Sequence, residues 1–401
     1  MSKKTNKESD LQGVTRLVTD ATIGVTELVE AMHRRVVHPP FLPSTPIQHL
    51  ITNIAGITFK NIKNSTRFIG GGLDKALGRL TPVLGKLRKT NEVEGMRAAL
   101  NGVLGDYLEE KENPLKIEMQ FRYESEAITL DSKNLEANYS DINGKILLMI
   151  HGACMNDIQW TRKEHNHGEV LAKELGKTPI YLHYNSGRHI SSNGQDFNKL
   201  LEDLILHWPV PVEELIIIAH SMGGLVTRSA LYYGDQEKKK WTEHLKKIVF
   251  LGTPHQGAPL ERIGNYLDVI LESIPYTKPF APLGKVRSAG VTDLRYGSLI
   301  DEDWQGKDRF DIDGGESQRI PLPKKIDCYS VAAVLGKETD TLSARMLGDS
   351  LVTVKSAFGE HKDPAKSLNF KDEHTWVAYE NTHLDLLNNP EIYTKIMTWL
   401  V

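Results

Sequence analysis

A buried strand, a sharp turn and the start of a helix fit into twelve residues, 215 to 226, with the sequence LIIIAHSMGGLV. Leu215 to Ala219 form an unbroken apolar run of strand length, and an apolar segment compatible with a helix opens at Gly223. Ser221 stands between them. The small residues Ala219 and Gly223, two positions to either side, let the chain fold back without a clash. The pattern predicts a strand whose turn presents a serine hydroxyl at the edge of a sheet.

Composition narrows the class of protein. With 401 residues, 40% of them hydrophobic and 25% charged, the chain can bury one large core or two smaller ones, which excludes a disordered or fibrous protein. A net charge of −3 gives no electrostatic case for nucleic acid, and no nucleic-acid-binding motif is present, so no nucleic-acid partner is predicted. Two cysteines cannot form a disulfide framework, and the polar start shows neither a signal peptide nor a spanning helix. We expect a cytoplasmic protein.

The periodicity of apolar residues changes near residue 113. Before it, segments at 14–32, 73–87 and 93–108 repeat apolar residues at steps of three and four, which predicts a helical N-terminal extension over residues 1–113. After it, short β-type runs alternate with helical segments over residues 114–401. Such alternation is typical of an α/β fold with a mostly parallel central sheet and helices on both faces.

The N-terminal part contains a basic stretch. Residues 41–90 hold eight Lys or Arg and one acid, so the stretch carries +7 and the remainder of the chain −10. One interpretation is the solvated face of helices that pack against the acidic catalytic domain. The other is a peripheral contact with an anionic membrane.

A serine hydroxyl is a poor nucleophile at neutral pH, so it needs a base, an acid that orients the base, and donors for the developing oxyanion. His151 and Gly152 directly follow the apolar strand KILLMI, where backbone N–H groups can supply those donors. We expect the N–H groups of Ala153 and Met222 to form the oxyanion hole. His151 itself is expected to be structural.

The base and the acid are chosen by chain order, because in this architecture the serine comes first, then the acid, then the histidine. His383 follows the β-type run TWVAYE and precedes a C-terminal helical pattern, which favours it as the base; His361 and His374 are the alternatives. For the acid, Asp349 and Asp340 share one loop after the strand KIDCYSVAAV, and the residues alone leave both open.

Five motifs occur in a fixed order: HGACMND, AHSMGG, LGTPHQGAP, GDSLVTVKSA and NTHLDLL. Together they resemble the α/β-hydrolase superfamily, and more closely bacterial lipases and inositol-deacylase-like lipid esterases, over about residues 115–401. The resemblance implies an α/β-hydrolase fold in which Ser221 is the nucleophile, Asp349 the acid and His383 the base, with no cofactor. Some similar lipases use the aspartate two after the histidine, here Asp385, as a calcium ligand. No second carboxylate accompanies it, so no metal site is predicted.

A long insertion at residues 257–325 carries an amphipathic helical pattern, which favours a lid over the site; a surface decoration is the alternative. The resemblance implies a serine carboxylic-ester hydrolase of lipase or esterase type that acts on acyl esters, with lipid-derived esters favoured, through an acyl-enzyme on Ser221. Two alternatives stay open: an acyltransferase with the same triad, and a non-enzymatic module for membrane or protein interaction.

Overall fold

The computed structural model describes residues 77–78, 90–139, 142–258, 271, 287–307, 317–337, 348–349 and 351–401. Most of the predicted N-terminal features lie outside these ranges. They are the helix at 14–32, nearly all of the helix at 73–87 and nearly all of the basic stretch at 41–90. The amphipathic part of the predicted lid also lies outside them, except for Leu271, which is buried.

The helices and strands alternate along most of the chain. In chain order they are α1 (Asn91–Glu110), β1 (Gln120–Tyr123), β2 (Glu126–Ala127), α2 (Ser132–Asn138), β3 (Lys145–Ile150), β4 (Thr161–Arg162), β5 (His165–Asn166), α3 (His167–Leu175), β6 (Thr178–His183), α4 (Ile190–His207), β7 (Glu214–His220), α5 (Met222–Gln236), α6 (Trp241–His244), β8 (Leu245–Leu251), α7 (Ala289–Tyr296), β9 (Asp327–Val334), α8 (Val354–Ala357), β10 (Thr375–Tyr379) and α9 (Pro390–Leu400).

Eight of these strands form one sheet with the order β10-β9-β8-β7-β3-β6-β1-β2. The six strands from β10 to β6 run parallel, whereas β1 and β2 join antiparallel at one edge. The chain turns back between β6 and β7, so right-handed crossovers place α3 on the opposite face from α4 and α5. The predicted α/β-hydrolase fold, with a mostly parallel sheet covered on both faces, is confirmed.

The central strands form because nearly every side chain in them is apolar. In β7, every residue from Leu215 to His220 is buried, and in β3 only Lys145 is exposed. A parallel strand covered by helices on both faces needs such a continuous apolar run, since it has no solvent side. The carboxyl ends of these strands therefore meet at one rigid edge of the sheet.

Helix α1 lies on the N-terminal side of the predicted boundary at residue 113, and its buried side chains belong to the same hydrophobic core as the sheet. Thr90 caps its first turn by accepting from the N–H of Val93. Arg97 donates to the carbonyl of Leu115, and the hydroxyl of Ser288 donates to the carbonyl of Gly102. The helix is thus fastened to residues on the other side of the predicted boundary.

The antiparallel edge differs in detail from the sequence prediction. The β-type run at 117–121 becomes a strand only from Gln120, and the run at 127–130 contributes only Ala127. Between them, Glu124 and Ser125 both have positive φ, which makes a tight hairpin turn. The short hairpin of β4 and β5 has no apolar alternation and was not predicted.

Candidate active site

Ser221 occupies the turn between β7 and α5 with φ 54° and ψ −121°, a conformation that a non-glycine residue rarely adopts. Holding it costs about 1–3 kcal/mol, which the surrounding contacts must supply. Its N–H donates to the carbonyl of Leu251 at 2.8 Å, and its carbonyl accepts from the N–H of Gly224 at 3.0 Å. A Cβ on Gly223 would lie 2.6 Å from the carbonyl oxygen of His151, so only glycine fits there. The sequence pattern therefore corresponds to a strained serine turn.

His383 and Asp349 form a buried pair, although 34 residues separate them in the chain. Nδ1 of His383 donates to Oδ2 of Asp349 at 2.6 Å, and both side chains are 1% exposed. The other carboxylate oxygen, Oδ1, accepts the N–H groups of Leu351 at 2.9 Å and Val352 at 2.7 Å. The carboxylate is fixed by the backbone and in turn fixes the imidazole with its proton on Nδ1. Nε2 is then the ring nitrogen able to accept a proton.

Two contacts bring this imidazole to the serine turn. Nε2 of His220, the residue before Ser221, donates to the carbonyl of His383 at 3.2 Å, and the two rings are 4.7 Å apart. The ring of His383 also lies against Gly252 at the end of β8, where a Cβ would come within 2.8 Å of its Cε1. Both Ser221 and His383 are enclosed, with 0% and 1% of the residue exposed.

The segment after β3, residues 151–154, is called the HGAC loop below. It backs onto the serine turn: a Cβ on Gly152 would lie 3.1 Å from Cβ of Ser221. Cys154 has a positive φ of 59°, and its N–H donates to Oγ of Ser186 at 2.9 Å. Ala153 and Met222, the predicted oxyanion donors, are both fully buried.

His151 is held inside the HGAC loop. Its Nδ1 donates to the carbonyl of Gly152 at 2.8 Å, and its ring stacks on Tyr184 at 4.3 Å. The hydroxyl of Tyr184 donates to the carbonyl of His151 at 2.9 Å. Burial lowers the pKa of His151 to about 3, so the ring is neutral at physiological pH. These contacts fit a structural side chain that shapes the loop.

A buried ion-pair network connects Asp157, three residues after the HGAC loop, to α1. Arg122 on β1 donates to Glu94 of α1 at 3.0 Å and to Asp157 at 3.2 Å, and His183 lies 3.5 Å from the same carboxylate of Asp157. All four side chains are buried. Such a network is held together by mutual neutralisation, because any one charge alone would be costly to bury.

The alternative bases lie elsewhere. Nδ1 of His361 accepts from the N–H of Asp363. The ring of His374 packs at a tilt against Tyr329, and its Nδ1 lies 3.2 Å from the carbonyl oxygen of Cys328. Neither contacts Asp349. Asp340, the alternative acid, lies outside the described residues.

Asp385 caps its own turn, because its Oδ2 accepts from the N–H of Thr382 at 2.9 Å and from that residue's hydroxyl. Within the part of the chain that the structure describes, no cluster of three or more His, Cys, Asp or Glu side chains could hold a metal ion. Over the same residues, no helix has the length and apolar character needed to cross a membrane.

Sequence reasoning missed His220 and the Arg122 network. His220 adjoins the serine in AHSMGG, so position alone could have drawn attention to it. Arg122, Glu94 and Asp157 come from three distant segments with no shared motif, and only the fold brings them together.

Comparisons with known proteins agree with this architecture. Residues 141–310 match the family model described as a PGAP1-like alpha/beta domain. No curated protein matches the chain in sequence.

Solved structures with a similar fold include three hydrolase-fold proteins. The mature lipase BlEst2 of Bacillus licheniformis has 15% identity over 64% of this chain and 92% of its own, with a TM-score of 0.41. The hyperthermophilic esterase of Pyrobaculum calidifontis has 11% identity over 82% of this chain and 95% of its own, with a TM-score of 0.42. Mouse alpha/beta hydrolase domain-containing protein 10 has 12% identity over 71% of this chain and 97% of its own, with a TM-score of 0.37. The chain thus has an α/β-hydrolase fold, and its residues 141–310 are similar to the PGAP1-like alpha/beta domain.

Proposed function

We propose that the protein is a serine carboxylic-ester hydrolase that cleaves acyl esters through an acyl-enzyme on Ser221. One observation carries the proposal: a buried hydrogen bond of 2.6 Å orients His383 on Asp349 directly beside the strained serine turn. A strained serine, an oriented imidazole and a fixed carboxylate are the parts that acyl transfer to an alcohol oxygen requires.

In the proposed mechanism, Nε2 of His383 takes the proton of Ser221 as Oγ attacks the ester carbonyl. Asp349 keeps the imidazole in the required tautomer and stabilises its charged form. The N–H groups of Ala153 and Met222 donate to the oxyanion of the tetrahedral intermediate. The imidazolium then protonates the leaving alcohol. Water, deprotonated by the same nitrogen, releases the acid.

The proposed substrates are lipid-derived esters. The support is the motif resemblance to lipid esterases and the apolar walls near the imidazole, where Leu386 meets Gly252 and Trp160 lies edge-on to His220 at 6.4 Å. Such walls favour an acyl chain over a polar substituent.

Labelling with a fluorophosphonate tests the nucleophile. The native protein should label, and Ser221→Ala should not. Ser229→Ala is the matched control, because its hydroxyl is also buried on α5 and donates to the carbonyl of Leu299. A folded native protein that does not label would support the non-enzymatic module instead.

Substrate class is tested with esters of two to sixteen acyl carbons, offered with and without detergent. We expect longer chains to react faster. If only two- to four-carbon esters react even with detergent, the lipid-directed part of the proposal is wrong. Adding a soluble alcohol to the same assay separates hydrolysis from acyl transfer, since a transferase would form the new ester in place of the free acid.

A further inference from the structure

A cavity of about 190 Å³ that includes none of the proposed catalytic residues is lined by several basic side chains. Its basic lining residues are Arg228, His255, Arg295, Arg319, His361 and Lys366. Among the residues that the structure describes, no Asp or Glu lines it. Arg228 follows Ser221 by seven residues on α5, about 10 Å along the helix axis. The cavity shares no lining residue with the proposed triad or oxyanion donors.

Arg228 forms the buried wall of this cavity. Its residue surface is 6% exposed, and its guanidinium donates to Nδ1 of His255 at 3.3 Å and to the carbonyl of Ile320. Among the described residues, no carboxylate forms an ion pair with it. Burial lowers the pKa of Arg228 to about 10, so it still carries its charge at neutral pH. A buried guanidinium without an acid is costly unless an anion completes it.

The hydrogen bonds around Arg228 leave two donors unmet. A guanidinium can only donate, so Nδ1 of His255 must accept from it, and the proton of the neutral ring is on Nε2. Nε2 of His255 and Nε of Arg228 are both buried and have no hydrogen-bond partner in the structure. Both side chains line the cavity, and both unmet atoms are donors. What the cavity lacks is an acceptor.

We propose that this cavity binds a phosphate-class oxyanion. Two unmet N–H donors, one of them on the guanidinium of Arg228, suit an acceptor with several oxygens, and the further positive charge of the exposed Arg319 favours a dianion over a singly charged carboxylate. The phosphate can belong to a lipid headgroup or be the free ion, since both present the same oxygens. The proposal does not depend on the chemistry of Ser221.

Calorimetric titration of the full chain with sodium phosphate, against sodium chloride at equal ionic strength, tests the site. The titration uses Ser221→Ala, so that no ester probe is consumed. Arg319 is exposed at the rim, so Arg319→Gln should fold normally and weaken phosphate binding about tenfold, as for the loss of one charge-assisted hydrogen bond. Lys173→Gln makes the same charge change on an exposed residue of α3 outside the cavity and should bind as tightly as the parent.

Arg228→Lys keeps the buried charge but removes the Nε donor and the forked geometry. It should bind phosphate at least tenfold more weakly, with an unchanged circular dichroism spectrum. A second arm adds dihexanoyl phosphatidic acid to the phosphate-loaded protein. Displacement of phosphate assigns the site to a lipid headgroup, and failure to displace it assigns the site to the free ion. The proposal is overturned if phosphate gives no saturable heat, or if Arg319→Gln and Lys173→Gln bind it equally well.

Discussion

Gly102 of α1 lies so close to Cys154 of the HGAC loop that a Cβ on the glycine would stand 2.2 Å from the sulfur and 2.7 Å from Cα of Cys154. No real Cβ approaches other atoms so closely, so the loop backbone would have to move. Helix α1 thus packs directly against the HGAC loop, which supplies the proposed oxyanion donor Ala153.

Gly102→Ala should therefore lower the rate of ester hydrolysis by at least tenfold and reduce the free energy of unfolding, even though alanine is the better helix former by about 1 kcal/mol. The measurements are kcat with a soluble ester and chemical denaturation. Gly78→Ala is the control, because nothing lies within 4 Å of a Cβ built at that helical glycine. Equal behaviour of the two variants would show that the contact does not position the loop.

Asp349→Asn should reduce kcat by about 10³- to 10⁴-fold while the protein stays folded. The amide oxygen can still accept the N–H groups of Leu351 and Val352, but the amide nitrogen would donate to Nδ1 of His383 and turn the ring to the wrong tautomer. Steady-state kinetics and a thermal melt measure the two effects. A loss of less than tenfold would remove Asp349 from the proposed triad.

His220 is predicted to be a positioning residue. Its Nε2–H donates to the carbonyl of His383, so His220→Leu should lower kcat by about 10- to 100-fold with little change in KM. His220→Gln retains a side-chain N–H donor and should recover part of that loss. If leucine and glutamine lower kcat equally, the histidine is there for packing and the hydrogen bond does not matter.

Buried neutral histidines should make the fold sensitive to acid. Burial lowers the pKa of His167 to about 3, with a smaller contribution from neighbouring His165. Between about pH 3 and the unfolded value near 6.5, the unfolded chain binds a proton that the folded chain does not. The free energy of unfolding should therefore fall as pH falls through this window, by up to about 1.4 kcal/mol per pH unit for this histidine.

Denaturation of His167→Gln at several pH values from 4 to 7 measures this effect. Its slope of stability against pH should be shallower than that of the parent, whatever the absolute stability. His207→Gln, which changes an exposed histidine of α4, is the comparison variant. A slope that is the same in all three proteins would contradict the linkage.

The sequence was informative where one physical requirement leaves few residue choices. Doubly covered parallel strands need unbroken apolar runs, so β3, β7 and β8 could be located to within a residue, and the serine turn needs small neighbours, so Ser221 could be singled out. The pairing of His383 with Asp349 was predicted from chain order and resemblance, and the structure places the two in contact.

What the sequence could not supply depends on distant segments meeting. Arg122 forms its ion pairs with Glu94 and Asp157 only because β1, α1 and the loop after β3 pack together. No local sequence pattern predicts those ion pairs. The same is true of Arg228 and Ile320, whose contact spans 92 residues. Helix α1 was predicted as part of an extension, and its periodicity could not say which surface its apolar face would cover.

The enclosure of Ser221 has a kinetic consequence for the proposed enzyme. With none of its surface open, the oxygen meets no ester carbonyl until the residues that enclose it move, and the water that releases the acyl group must enter through a second such movement. The rate of this movement would then limit both acylation and deacylation. The lifetime of the acyl-enzyme would then measure how often the enclosure of Ser221 opens.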